Sequence, residues 1–167
     1  APHISSIAID GNLYSVKGKK DLLMTDRPLY LLGIKLIREF KRQGISLRGN
    51  IVLSHIPLKK KISFNKILYK HSSVKLSEII KVINKRSNNL FAEQVFKKLS
   101  ANFHRTPGSW ESSAKFVDNF LINKVKLDKK SFYISDGSGL SSKNKISPES
   151  MVKVLAYTKD AEYFINF

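Results

Sequence analysis

The sequence contains no cysteine, so it forms no disulfide and no thiolate-bound metal site. This absence is compatible with an oxidising or a reducing compartment. No apolar run approaches the roughly 20 residues of a membrane-spanning helix, and we predict no transmembrane segment. The histidines share no ligand spacing, so we predict no metal and no cofactor; they are His3, His55, His71 and His104.

Acidic residues are scarce: 13 Asp and Glu stand against 30 Lys and Arg, which gives a formal net charge of +17. This balance raises the hypothesis of a nucleic-acid-binding module, because Lys and Arg bind phosphates. The basic residues are mostly Lys, however, and are scattered apart from the cluster Lys59–Lys61, close to Lys66 and Lys70. We therefore favour a solvated basic surface and expect no nucleic acid, with the basic module as the alternative.

The spacing of apolar residues around Ser87–Asn89 predicts two amphipathic helices joined by a short polar turn. The apolar positions are Leu76, Ile79, Ile80 and Ile83 before the turn, and Ala92, Val95, Phe96 and Leu99 after it. Asn88 is placed to cap the second helix. We expect the Ser87 hydroxyl to face a groove, because a turn held between packed helices presents its side chains rigidly. Taken alone, the triplet is an ordinary interhelix turn.

Ser87 and Asn89 also fit Ser-x-Asn, one of three elements of the serine penicillin-recognising enzymes beside Ser-x-x-Lys and Lys-Thr-Gly. Longer stretches resemble one branch of these enzymes, the class C low-molecular-mass penicillin-binding proteins, which are serine-type D-Ala-D-Ala carboxypeptidases and endopeptidases. The resembling stretches are 76–80, 84–93, 108–111 and 136–141, followed by Asn144 and Ser147-Pro148. They come in the family's order and spacing, and the resemblance covers most of the chain from about residue 26 onward.

The resemblance implies an α/β (α+β) fold, the helical part of the penicillin-recognising serine peptidase domain with a few strands, incomplete at both ends. Residues 1–25 look like the returning end of an inserted strand-rich module, and residues 26–167 like the central part of the catalytic domain. The implied partners are peptidoglycan stem peptides and β-lactam antibiotics. The implied location is the periplasm or cell envelope of a bacterium. The sequence does not indicate an oligomeric state.

In the family that the chain resembles, a Ser nucleophile attacks the carbonyl of the D-Ala-D-Ala bond, and a Lys one helical turn later is its base. The resemblance assigns to Ser87 the relay of a proton towards the leaving group. It assigns to Asn89 a hydrogen bond to a substrate carbonyl and the orientation of the Lys. Both are predicted catalytic residues, and Asn89 is also a predicted substrate-binding residue. Asn88 fills the variable middle position and is expected to point away.

Two of the three elements are not recognisable in the chain. Lys-Thr-Gly does not occur. Ser-x-x-Lys occurs at five places: Ser63/Lys66, Ser72/Lys75, Ser112/Lys115, Ser142/Lys145 and Ser150/Lys153. We reject all five, because the family's nucleophile lies far upstream of Ser-x-Asn. We therefore expect a central fragment of a longer enzyme that is inactive by itself. The alternative is a degenerate relative, a non-catalytic envelope protein on the same fold.

The stretch Asp136–Gly139 is predicted to have a structural role near the site. Gly137 and Gly139 permit a sharp turn, and Asp136 can bond the backbone amides of that turn. The alternative makes Ser138 a nucleophile on a tight turn. The stretch does not match Gly-x-Ser-x-Gly, so we favour the structural role.

Local patterns elsewhere predict further elements. They are a small hairpin over 4–16 with its turn at Asp10–Asn12, a helix capped by Asp26 and stopped by Gly44, a strand over Ile45–Leu53, a mobile basic loop over 57–70, a strand over Ser131–Ser135, and helices that begin after Ser109 and Ser147. Glu93 is expected to be a helix ion-pair partner rather than an acid or base. Trp110 is expected to be a packing anchor.

Overall fold

The computed structural model describes residues 8–15, 22–51, 70–104 and 107–159. The chain divides into two units, Ala1–Lys60 and Lys61–Phe167. The described part of the first unit contains β1 (Leu13–Ser15), β2 (Leu22–Met24) and α1 (Pro28–Arg42). The described part of the second contains α2 (Leu76–Arg86), α3 (Asn89–His104), α4 (Trp110–Asn123), β3 (Phe132–Tyr133), β4 (Lys145–Ile146) and α5 (Pro148–Thr158).

The first unit begins with a tight turn at Asp10–Asn12, where the sequence predicts one. Asn12 has a φ of 62° and is fully buried. Its backbone N–H donates to the Ile9 carbonyl at 2.8 Å, and its own carbonyl accepts from the Thr25 N–H at 2.9 Å. Strand β1 pairs antiparallel with β2, a pairing that the sequence analysis does not predict, and the hairpin predicted over 4–16 stays a prediction. Residues 4–7 and 16 of that hairpin lie outside the described residues.

Helix α1 begins one residue later than a cap at Asp26 would place its first helical residue. The N-cap position is Arg27, not Asp26, and Pro28 is the first helical residue. The Arg27 backbone N–H donates to the Thr25 hydroxyl at 3.0 Å, so a threonine side chain orders this start instead of the aspartate. The predicted stop is confirmed, since Gly44 follows the helix with a φ of 76°, which is typical of glycine after a helix.

The strand predicted over Ile45–Leu53 is wrong for residues 45–51, which form no strand. Alternating apolar residues make a strand only where a neighbouring strand pairs with them and one face is buried. Ile45 and Leu47 are instead half exposed, at 50% and 52%. Leu53 and most of the basic segment 57–70 lie outside the described residues.

Serine side chains begin two helices of the second unit, as predicted. The Ser109 hydroxyl accepts from the Ser112 N–H at 3.1 Å at the start of α4. The Ser147 hydroxyl accepts from the Ser150 N–H at 3.2 Å at the start of α5. Each bond satisfies an N–H that has no partner within its helix, which stabilises a helix by about 1 kcal/mol. The strand predicted over Ser131–Ser135 is confirmed for Phe132–Tyr133, which form β3 and pair antiparallel with β4.

A small apolar core fixes α4 against β3. Its buried members are Leu121, Val125, Leu127 and Phe132, and partly buried Val117, Ile122, Ile134, Ile146 and Val154 pack against them. Burying an apolar side chain of this size contributes about 1.5–3 kcal/mol. This core holds the start of the segment that runs from β3 into Asp136.

Helices α3 and α4 approach closely because small residues face each other. A Cβ on Gly108 would lie 1.9 Å from the Lys97 carbonyl oxygen, so only glycine fits there. The Ser100 and Ser113 hydroxyls, both buried, lie 2.8 Å apart across the helix pair. None of the described helices is both long and apolar enough to cross a membrane.

Candidate functional site

The break between α2 and α3 is where the sequence predicts it. Helix α2 ends at Arg86, and Ser87 then adopts the left-handed conformation with φ 50° and ψ 47°. This conformation costs a residue other than glycine about 1–2 kcal/mol. The Ser87 backbone N–H donates to the Ile83 carbonyl, and α3 begins two residues later at Asn89. The chain therefore reverses sharply at Ser87 and leaves its side chain exposed on the turn.

Asn88 caps α3, as the sequence predicts. Its side-chain oxygen Oδ1 accepts from the Phe91 N–H at 3.0 Å. Its carbonyl accepts from the Ala92 N–H, also at 3.0 Å. Asn88 therefore serves the backbone, whereas no hydrogen bond joins the Ser87 hydroxyl or the Asn89 amide to any residue that the structure describes.

Replacing Asn88 with alanine should lower the free energy of unfolding by about 1 kcal/mol, because the Phe91 N–H loses its acceptor. The measurement is chemical denaturation of the full-length variant. Asn119→Ala is the matched control, because Asn119 is exposed within α4 and alanine is a good helix former there. An equal loss of stability in both variants would show that Asn88 does not act as a cap.

A groove of about 320 Å³ lies at this break. Ser87, Asn88 and Asn89 line it from the turn, and Gly137 and Ser138 line it from the segment after β3. The structure thus brings together both predicted catalytic residues and the stretch that we expected near the site. Ser87 lines this groove, in agreement with the sequence analysis, and the direction of its hydroxyl and the catalytic roles of Ser87 and Asn89 stay predictions.

The rejected Ser-x-x-Lys pairs lie elsewhere. Among the described residues, no member of such a pair lines the groove. Ser112 and Ser150 are engaged at helix starts, and the Ser150 hydroxyl donates to the Ser131 hydroxyl at 2.6 Å. Ser63 and Lys66 lie outside the described residues. Within the described part of the chain, no group of three or more His, Asp or Glu side chains is arranged to hold a metal ion.

The stretch after β3 is a tight loop organised by Asp136, as predicted. One Asp136 carboxylate oxygen accepts from the Gly139 N–H at 2.8 Å, and the other accepts from the Ser141 N–H at 2.7 Å. The side-chain NH2 of Asn144 donates to Asp136 at 2.7 Å, and the side-chain oxygen of Asn144 accepts from the Ser135 N–H at 2.7 Å. Gly139 has a φ of 79°, a conformation that favours glycine.

Gly137 is required by packing and not by the turn itself. A Cβ at this position would lie 2.4 Å from the Phe96 Cβ and 2.8 Å from the Ala92 carbonyl oxygen, both on α3. Real Cβ atoms do not approach other atoms so closely. The loop can therefore lie directly on α3 only because residue 137 has no side chain.

Glu93 is the residue that the sequence prediction misjudged. It is 3% exposed, and its carboxylate accepts four hydrogen bonds instead of forming an ion pair. The donors are the Trp110 indole at 2.6 Å, the Gly137 N–H at 3.3 Å, the Ser138 N–H at 3.1 Å and the Ser138 hydroxyl at 2.5 Å. The available signal was its spacing, since residue 93 lies one helical turn after Asn89 on the same face.

Trp110 does more than pack. It is 36% exposed, and beside its bond to Glu93 its ring carries the Lys97 ammonium 4.3 Å from the centroid. An ammonium over an indole face is attracted by about 0.5–1 kcal/mol at an exposed site. Trp110 therefore ties the start of α4 to α3 through a polar and an electrostatic contact.

The family follows from comparison with known proteins. Residues 3–167 match the D-Ala-D-Ala carboxypeptidase 3 (S13) family. The chain belongs to this family. It is 29% identical over 120 residues to D-alanyl-D-alanine carboxypeptidase DacB of Haemophilus influenzae, a match that covers 72% of this chain and 24% of that protein. It is 27% identical over 160 residues to the D-alanyl-D-alanine carboxypeptidase of an Actinomadura strain, covering 95% of this chain and 29% of that protein.

Solved structures give the same fold. The crystal structure of penicillin-binding protein 4 (DacB) from Haemophilus influenzae matches with a TM-score of 0.67 at 25% identity, over 83% of this chain and 30% of that chain. The same protein complexed with a novel β-lactam matches with a TM-score of 0.69 at 24% identity, over 84% and 32%. The resemblance and the mixed helix-and-strand fold class are confirmed. The chain spans less than a third of the length of these relatives.

Proposed function

We propose that the chain supplies one wall of the active site of a serine D-Ala-D-Ala carboxypeptidase or endopeptidase. The substrates are peptidoglycan stem peptides, and β-lactams acylate the same site. The observation that carries the proposal is the groove shared by Ser87, Asn89 and Ser138 in a chain of this family. The Ser87 hydroxyl and the Asn89 amide have no partner among the described residues, so they can contact a substrate.

The division of work in the groove follows from the chemistry of acyl transfer. The nucleophilic serine, contributed from outside this chain, gives its hydroxyl proton to the catalytic lysine, its oxygen bonds to the substrate carbonyl carbon, and the C–N bond to the terminal D-Ala breaks. The departing amine needs a proton, which the Ser87 hydroxyl relays from the catalytic lysine. The Asn89 amide donates to a substrate carbonyl and holds the reacting bond in place. Water then releases the acyl group.

The same proposal assigns the chain to two domains of the protein and places the protein in a cellular compartment. Residues 1–25 are the returning end of an inserted strand-rich module, and residues 26–167 belong to the catalytic domain. The enzyme works in the periplasm or cell envelope, where its substrate is. The net charge of +17 then belongs to a solvated surface.

The test uses the full-length protein with a labelled penicillin, read by intact-mass spectrometry, and a D-Ala-D-Ala peptide, read by release of D-Ala. We expect one covalent adduct per protein and release of D-Ala. A salt series with DNA and RNA tests the rival function, since a phosphate binder loses affinity steeply as salt rises. Micromolar nucleic-acid binding with that slope, without adduct or D-Ala release, would replace the proposed function by a basic binding module.

A further inference from the structure

Glu93 is a buried carboxylate with every acceptor position used. An ionised carboxylate has about four lone-pair sites, and four donors occupy those of Glu93. Two of these bonds come from the backbone of Gly137 and Ser138, so Glu93 fastens the loop to α3. Hydrogen bonds to an ionised group are roughly twice as strong as neutral ones. The loop is therefore held rigidly beside the groove.

The fourth bond determines what the Ser138 hydroxyl can do. A hydroxyl has one proton to donate, and Ser138 donates it to Glu93 Oε1 at 2.5 Å. Its lone pairs remain, and the contact they receive from the Leu140 N–H is long, at 3.5 Å. Ser138 lines the groove, so the hydroxyl can only accept a hydrogen bond from a ligand there.

We propose that Glu93 is a positioning residue that fixes the Ser138 hydroxyl as the acceptor for an amide N–H of the peptide in the groove. The inference rests on the proposed function and adds a specificity contact to it. An extended peptide presents C=O and N–H groups alternately. The Asn89 amide can donate to one of these carbonyls, and the Ser138 hydroxyl can accept from one of these N–H groups. The negative charge of Glu93 behind the hydroxyl also favours a donor over an acceptor at this place.

The test measures selectivity with the full-length protein. The substrates are a D-Ala-D-Ala peptide and a series of its analogues, each N-methylated at one amide. In the wild type, methylation of the amide that contacts Ser138 should raise KM about fivefold, because a hydrogen bond of this kind contributes about 1 kcal/mol. In Ser138→Ala, the unmodified peptide should show a similar rise in KM with kcat little changed. Ser138→Ala should no longer discriminate against that methylated peptide.

Glu93→Gln should reduce the same discrimination. The NH2 group of glutamine would replace one carboxylate oxygen and face two hydrogen-bond donors, so two of the four bonds that hold the loop would be lost. Trp110→Phe removes only the indole donor and should keep the discrimination. Glu78→Gln is the matched control on the exposed face of α2 and should behave as the wild type. A merely structural Glu93 would change stability in Glu93→Gln but not selectivity.

The outcomes separate the inference from the proposed function. Wild-type hydrolysis with unchanged discrimination in Ser138→Ala overturns the inference alone. A penicillin adduct mapped to Ser138 also overturns it, because Ser138 would then be a nucleophile. A wild type that hydrolyses no peptide in the series overturns the proposed function, and the inference with it.

Discussion

Replacing Ser87 with alanine in the full-length protein should slow acylation by penicillin by about 10²- to 10⁴-fold, the usual contribution of a positioned proton-transfer group. The structure supports this expectation because Ser87 lines the groove and its hydroxyl has no hydrogen-bond partner among the described residues. Asn89→Ala should instead weaken substrate positioning, and so act more on binding. Stopped-flow acylation at several penicillin concentrations separates the dissociation constant from the rate of the covalent step.

Two further variants separate catalysis from stability. Ser87 has a φ of 50°, so Ser87→Gly removes the hydroxyl and also relieves the left-handed strain of about 1–2 kcal/mol. We expect Ser87→Gly to be more stable than Ser87→Ala and equally slow. Ser77→Ala, on the exposed face of α2, is the matched control and should acylate at the wild-type rate. A wild-type rate in both Ser87 variants would remove Ser87 from the mechanism.

The sequence predicted those parts of the site that depend on neighbours along the chain. The cap at Asn88 needs an N–H three residues later, and the loop at Asp136 needs amides three and five residues later. Such contacts form wherever the local residue types allow them. The break at Ser87 belongs to the same class, because it follows from the spacing of apolar residues on two adjacent helices.

The parts that the sequence did not predict depend on partners far along the chain. The donors to Glu93 lie 17, 44 and 45 residues away, so its spacing from Asn89 indicates the face of α3 that it shares but not the donors that surround its carboxylate. Gly137 looks like a turn residue, and only the contact with Phe96 shows that packing requires it. Residues 45–51 alternate like a strand and form none, because alternation does not supply a pairing partner.

The 167-residue chain by itself should form no adduct with penicillin and release no D-Ala. It carries Ser87 and Asn89 but no Lys-Thr-Gly, and none of its Ser-x-x-Lys pairs within the described residues lines the groove. Removing a nucleophile with its base leaves only what binding and positioning supply. Intact-mass spectrometry after incubation with a labelled penicillin measures the outcome, with the full-length protein as the reactive control.

Trp110 shows whether the isolated chain is assembled, because it is the only tryptophan and its indole donates to Glu93. Its fluorescence should shift in Glu93→Gln if α3, α4 and the loop are in place. We expect the Trp110 fluorescence to shift in Glu93→Gln and the unsubstituted 167-residue chain to form no penicillin adduct. An adduct would show that the chain contains the nucleophile after all, and peptide mapping would then choose among Ser63, Ser72, Ser112, Ser138, Ser142 and Ser150.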